Sequence, residues 1–289
     1  MDTPLQAGAD ATPSKVKTFI NTVLLIVWIL IGALTMLVAK LTRWRWLEMS
    51  FPRVFHGLVC RLFGMQVVVR GEPMSTKPTW FVANHVTYMD VFVLGKLIKG
   101  SFVAKSEVAG WPVFGKLAGL QNTLFLERRA AKAREQVTEV RQHLATRGSL
   151  IVFPEGTSTS GDYVGRFRSS LFAATEGVII QPISVVYTQY DGQPMTPQQR
   201  ERYAWYLPDP SKPGVNNRPF LNHFLEGLGL KRSVVEVIFH KPTMIDSETT
   251  ERASDARKQC AQACEDAVRH GLHSALNLPA EAAELAADT

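Results

Sequence analysis

The chain has 289 residues, 46% of them hydrophobic and only 20% charged, with a formal net charge of +6 and a pI near 9.3. That length holds one sizeable domain plus an appendage, and so little charge is unusual for a freely soluble enzyme. No aromatic-interleaved basic motif accompanies the positive charge, so no nucleic-acid partner is indicated; anionic lipid headgroups or an acidic carrier suit it equally well. The three cysteines, Cys60, Cys260 and Cys264, give no disulfide framework and suit a reducing compartment.

Residues 1–14 are small, polar and Pro-containing, and read as a disordered tail. Residues 19–39 carry no charge and are rich in Leu, Ile and Val. At 1.5 Å per residue such a helix crosses a hydrocarbon core of ~30 Å. A signal peptide is the competing reading, but the apolar run is long for one and lacks a good small-x-small cleavage site. An uncleaved membrane helix is favoured, and a hairpin dipping into one leaflet stays open. Lys15 and Lys17 precede the run, whereas Lys40, Arg43, Arg45 and Arg53 follow it. This excess places the following domain on the cytoplasmic face of the inner membrane. Trp44 and Trp46 stand where interfacial aromatics belong. Next, Leu47, Phe51, Val54, Phe55, Leu58 and Leu62 share one helical face, while Arg45, Glu48, Arg53, His56 and Arg61 share the other. Pro52 is expected to break the start of this helix. The helix lies in the membrane interface or packs on its own domain. Residues 15–64 thus form an anchor, 65–275 a folded domain, and 276–289 a frayed tail.

Within the domain, short apolar runs at 66–70, 80–83, 101–105, 123–126, 149–152 and 234–239 read as strands. They alternate with helix-like stretches, the clearest at 130–147, and a closing helix covers 248–272. The alternation predicts an α/β fold, a mixed sheet flanked by helices. Residues 191–222 read as a long excursion carrying Tyr203, Trp205 and Tyr206.

Four strand ends carry chemistry. Asn84-His85-Val86-Thr87-Tyr88-Met89-Asp90 follows the second run and starts a helix. On a regular helix His85 and Asp90 would face apart, so a turn must bring them together. An imidazole held by a carboxylate is a good general base; the bland alternative is a histidine that bonds a turn. Phe153-Pro154-Glu155-Gly156-Thr157-Ser158 leaves another strand, with a charged Glu155 and a glycine that admits close backbone approach. Strand-end loops of this kind gather at one edge of an open α/β sheet. Between them, Arg128 ends the 123–126 run and Lys105 ends the 101–105 run, two cations suited to phosphate.

These segments, with Phe125-Leu126-Glu127-Arg128 and Gln181-Pro182-Ile183-Ser184, resemble the four ordered motifs of the glycerolipid acyltransferase family, best known for the 1-acylglycerol-3-phosphate acyltransferases. The resemblance implies an O-acyltransferase in membrane phospholipid biosynthesis. Such an enzyme moves an acyl chain from acyl-coenzyme A or acyl carrier protein to a lysolipid hydroxyl, here 1-acyl-sn-glycerol-3-phosphate. No cofactor beyond the donor substrate is implied. It makes His85 the base and Asp90 its orienting partner, and puts Asn84, Lys105, Arg128, Glu155, Gly156, Thr157 and Arg168 at the substrates. Two positions depart from the family pattern: Ser158 stands where arginine is common, and Glu127 where aspartate is. Residues 102–112, Arg168-Ser169-Ser170-Leu171-Phe172 and Tyr203-Ala204-Trp205-Tyr206 resemble the lyso-ornithine lipid acyltransferase branch, whose acceptor has an amino-acid head.

Other chemistries fit less well. The glycine and lysine spacing at 110–117 lacks the Ser/Thr of a phosphate loop. Gly156-Thr157-Ser158-Thr159-Ser160 misses the nucleophile-elbow pattern at its last residue, and no third metal ligand accompanies His85 and Asp90. A membrane-bound lipid-binding scaffold is the non-enzymatic alternative, against which an intact base–carboxylate pair argues.

Overall fold

The computed structural model describes residues 12–127, 132–205, 218–245 and 253–278. Helices α1 (Lys15–Leu41) and α2 (Arg45–Leu62) lead into β1 (Met65–Arg70), β2 (Thr79–Ala83), α3 (Met89–Leu97) and β3 (Gly100–Lys105). Two short helices, α4 (Ser106–Ala109) and α5 (Phe114–Leu120), precede β4 (Leu124–Leu126), α6 (Ala133–Arg147) and β5 (Ser149–Val152). Then follow β6 (Ile179–Tyr190), β7 (Gln193–Pro194), α7 (Pro197–Tyr203), α8 (Phe220–Gly229), β8 (Ser233–Phe239), β9 (Thr243–Met244) and α9 (Ala253–Leu276).

The sheet runs β1-β8-β6-β2-β5-β3-β4. Strands β6, β2, β5, β3 and β4 are mutually parallel, whereas β8 pairs antiparallel with β6 and carries β1 parallel to itself. Strands β2 and β5 are buried along their whole length. That explains their unbroken apolar sequence, since a parallel strand is covered on both faces. One face packs on α1, α2, α3 and α8 through Phe55, Phe81, Val93, Ile183 and Phe224. The other packs on α6 and α9 through Trp80, Leu144, Val152, Val268 and Leu272.

α1 is long and apolar enough to cross a membrane by length and composition. It nevertheless lies along the domain. Near its start Lys17 donates to the Leu230 carbonyl, and Asn21 Nδ2 donates to the carbonyls of Leu62 and Leu228 at 2.8 and 2.9 Å. Midway, Trp28 Nε1 donates to Phe55 O at 3.2 Å, and Gly32 lets the Phe55 ring approach so closely that a Cβ would sit 2.9 Å from it. At its end Lys40 reaches Asn122 Oδ1 at 3.3 Å. From Lys17 to Lys40 the helix covers about 35 Å. Its opposite side exposes Phe19, Val23, Leu30, Leu34 and Leu41, continued by Trp44 and Trp46.

Three expectations are corrected. Pro52 sits inside α2, which packs on α1 and α3 despite the lost backbone donor. His56 is buried rather than on a solvated face: its Nε2 pairs with Gln121 Oε1 at 2.8 Å, because α2 is covered on more than one side. Residues 191–222 are no plain excursion. Asp191 and Gly192, with φ of 51° and 81°, close a two-residue hairpin between β6 and β7, and α7 and the start of α8 follow. Thr196 and Gln199 form a capping box that starts α7. Tyr206 lies outside the described residues.

Candidate active site

The parallel strands β2, β5 and β3 end on one rim, which places residues 84–90, 153–168 and Lys105 together. Asn84, fully buried, anchors the first loop: its Nδ2 donates to Val185 O at 2.9 Å and its Oδ1 accepts from Val185 N–H at 2.8 Å. Both ends of that amide are spent inside the fold. Asn84 therefore holds β2 against β6, which corrects its expected place at a substrate.

The chain then turns so that Asp90, in the first turn of α3, folds back on His85. His85 Nδ1 lies 2.9 Å from Asp90 Oδ2, and the same oxygen accepts the N–H groups of Val86 and Thr87 at 2.7 and 2.9 Å. With Nδ1–H turned toward the carboxylate, the Nε2 lone pair is left to take a proton. The Asp90 side chain is completely buried, while that of His85 is 21% exposed. The imidazole stacks on Phe153, with centroids 4.0 Å apart and a 16° interplanar angle.

Sequence reasoning missed the second oxygen of Asp90. Tyr187 Oη donates to Oδ1 at 2.9 Å. Burial, with the Asp90 carboxylate beside it, holds the Tyr187 phenol well above its ordinary pKa, so it stays a donor. The signal was available: Ile183, Val185 and Tyr187 alternate along β6 and face the layer that carries α3.

Glu155 is also buried, and it joins two loops. Its Oε1 accepts the N–H of His85 at 2.6 Å and its Oε2 that of Gly165 at 2.7 Å. Burial pushes its carboxyl up to about 8 against the pull of those two bonds, with the Asp90 and Glu265 carboxylates adding to the rise. Gly165 leaves room for this carboxyl: a Cβ there would lie 2.6 Å from Glu155 Oε2 and push it from its place. Gly156 has a φ of 72°, the left-handed conformation that favours glycine. Thr159 N–H donates to His85 O at 2.8 Å and Trp205 N–H to Val86 O at 3.1 Å, so neighbours grip the His85 loop on both sides.

On the α1 side an aromatic cluster abuts this loop; the sequence singles out Trp205 but not the partners that gather around it. Tyr88 packs edge-on to Trp205 and Phe220, and its hydroxyl pairs with His223 Nδ1 at 3.0 Å. Trp111 and Phe114 close on Phe220 at 5.5 and 5.1 Å. On the α9 side is a cleft of about 780 Å³, lined by Glu155, Thr157, Arg166, Arg168, Lys258 and Gln262 among others. His85 is not among its lining residues. Thus Thr157 and Arg168 lie together on the cleft, Lys105 is half-buried at the end of β3, and Arg128 lies outside the described residues.

The geometry accords with similarities to known proteins. Residues 66–186 match the model of the Acyltransferase family. The chain is 35% identical over 236 residues to the lyso-ornithine lipid O-acyltransferase of Brucella abortus, covering 78% of this chain and 82% of that protein. It is 29% identical over 124 residues to the 1-acyl-sn-glycerol-3-phosphate acyltransferase of Neisseria meningitidis, covering 42% of this chain and 49% of the relative. The fold is similar to that of the Thermotoga maritima 1-acyl-sn-glycerophosphate acyltransferase, with a TM-score of 0.62 and 19% identity across 90% of this chain and 94% of that one. The matched stretch takes in His85, Asp90 and Glu155, and with a relative aligned over four-fifths of its own length, this chain belongs to the acyltransferase family.

Proposed function

We propose that this enzyme transfers a fatty acyl chain from a coenzyme A or acyl carrier protein thioester to the free hydroxyl of a lysolipid. The single observation that carries the reading is the His85 imidazole held at 2.9 Å by buried Asp90. A thioester is already activated, so the barrier lies in deprotonating a weakly acidic alcohol. The acceptor O–H gives its proton to His85 Nε2 as its oxygen bonds to the thioester carbonyl carbon. The C–S bond then breaks, and the thiolate leaves with the proton returned by the imidazolium. A positioned base of this kind contributes ~10²–10⁴-fold, and alignment of two bound substrates removes up to ~7–11 kcal/mol more. Asp90 keeps the imidazole oriented, and Glu155 sets the His85 main chain. Lys105 is assigned to the acceptor head, together with Arg128.

The acceptor expected from the motifs is 1-acyl-sn-glycerol-3-phosphate, giving phosphatidic acid. A second reading has its own support. Similarity to the lyso-ornithine lipid O-acyltransferase spans 82% of that relative, whereas similarity to the glycerophosphate enzyme spans 49% of its counterpart. Ser158, where arginine is common, also removes a cation that a phosphate head would use. The test is turnover of labelled acyl thioester by the purified full-length protein in mixed micelles, with each lysolipid in turn and His85→Ala as control. Consumption with one acceptor identifies it. No consumption with either would favour the scaffold reading.

We further infer that α1 lies in one leaflet, on the cytoplasmic side of the inner membrane. A helix fastened to the domain from Lys17 to Lys40 cannot cross a bilayer without carrying α2 and α8 with it. Single cysteines at Ser14 and Thr42 should both react with an impermeant thiol reagent from the cytoplasmic side. Labelling of the two from opposite sides would restore the spanning helix.

A further inference from the structure

The sheet divides the molecule into an apolar side and a polar side. The exposed apolar stripe of α1 and the aromatic cluster around Tyr88 lie with α2 and α8, the side whose apolar surface suits a lipid acceptor. The 780 Å³ cleft lies across the sheet, between residues 155–170 and the first half of α9. Its walls carry Arg166, Arg168 and Lys258. Neither arginine has an ion-pair partner among the described residues, and Lys258 has only exposed Asp255 at 3.3 Å on its own helix. Thr157, Ser169 and Ser170 add hydroxyl donors.

This cleft is wired to the base. Glu155, in its wall, holds the N–H of His85, and Thr159, also in its wall, donates to the His85 carbonyl. From the far side, buried Glu265 of α9 accepts the Phe167 N–H at 2.8 Å and so fixes the backbone between the two arginines.

We propose that the cleft is the donor site and that it recognises the phosphate of the phosphopantetheine arm, the chemistry that coenzyme A and acyl carrier protein share. The inference rests on the acyl-transfer reading and adds to it the direction of approach. The long, water-borne arm enters along α9, while the lipid hydroxyl comes from the α1 side. Two guanidinium forks, without an ion-pair partner among the described residues, and their flanking hydroxyls match a phosphate. This assignment gives Thr157 and Arg168, both expected at the substrates, to the donor.

The test compares three thioesters of one acyl chain, on coenzyme A, on 4′-phosphopantetheine and on pantetheine, together with the acyl carrier protein form. The full chain should show a KM about ten-fold higher for the pantetheine donor, which lacks the phosphate. Arg166→Ala/Arg168→Ala should raise KM for the phosphorylated donors about ten-fold, erase that preference and leave the acceptor KM within about two-fold. Lys258→Ala, on an exposed helix face, should act in the same selective way should the double variant fold poorly. A raised acceptor KM with unchanged donor KM would overturn the proposal, as would no change in either. A loss confined to acyl carrier protein would put the cations on the carrier's protein surface and also overturn it. Calorimetric binding of 4′-phosphopantetheine against pantetheine reads the site without turnover. Tight phosphate-dependent binding by a chain that transfers no acyl group would refute the reaction and keep the site; equal binding of the two would refute the site.

Discussion

Tyr187 and Asp90 meet at 2.9 Å, the phenol on the carboxylate oxygen that His85 does not use. The Asp90 carboxylate is thereby gripped from both sides: three donors reach Oδ2 from the loop, and one reaches Oδ1 from β6. Tyr187→Phe removes the last of these and leaves Oδ1 buried without a partner. A hydrogen bond to a charged group contributes ~1.5–3 kcal/mol. The variant should lose about ten- to a hundred-fold in kcat with KM nearly unchanged, and steady-state kinetics with both substrates varied checks the split.

His85→Ala should lower turnover by ~10²–10⁴-fold while the protein still folds and binds vesicles. Asp90→Asn should fall nearly as far for a different reason. Its amide nitrogen cannot accept from His85 Nδ1, and either orientation of the amide disturbs the bonds from Val86 and Thr87 or from Tyr187. Thermal melting separates the two variants, since only the second should also lose stability. Near-normal turnover in His85→Ala would remove the base assignment.

Glu155 gives a pH signature. Its carboxyl rises from 4.5 to about 8 in the fold because it is buried. Between those values the native state holds a proton that the unfolded chain has released, so Glu155 makes stability fall as pH rises through this window. Glu155→Gln should flatten that slope. It should also lose activity and ~1–3 kcal/mol, because one of the His85 and Gly165 N–H groups then faces an amide NH₂. Chemical denaturation at several pH values, with the variant alongside, is the measurement.

His56 acts with the opposite sign. Burial lowers its imidazole from 6.5 to about 4, although the bond to Gln121 opposes the shift. Below 6.5 the unfolded chain takes up a proton that the native state refuses, so this contribution is lost as pH falls toward 4. His56→Gln should remove part of the acid limb in the same denaturation series. Gly95→Ala probes the contact that buries the ring. A Cβ there would sit 2.4 Å from His56 Cδ2, and overpacking of this kind costs ~1–3 kcal/mol.

What could be read from sequence was whatever depends on local pattern. The buried runs at β2 and β5, the turn that returns Asp90 to His85, and Glu155 at a strand end all announce themselves by apolar runs and breakers. What escaped depends on pairing between distant segments. Asn84 looked like a substrate contact because nothing local shows that Val185 consumes its amide. His56 fell on the polar face of a helical projection, whereas α3 and Gln121 cover it in space. The Asp191-Gly192 pair is a local hairpin signal, but it stands in a stretch dominated by Pro and Gln that has no strand pattern after it. The cleft on α9 joins residues roughly a hundred apart in the chain, which no motif spans.

The reversed strands β1 and β8 divide the domain into a working rim and a blank one. Residues 71–78 and 240–242 turn at the end opposite His85, where Gly71 packs so tightly on the Phe239 carbonyl that a Cβ would lie 2.4 Å from it. Met74 and Glu72 are tied to Gln181 of β6, but residues 75–78 are exposed, so a label or fusion grafted there should leave turnover unchanged.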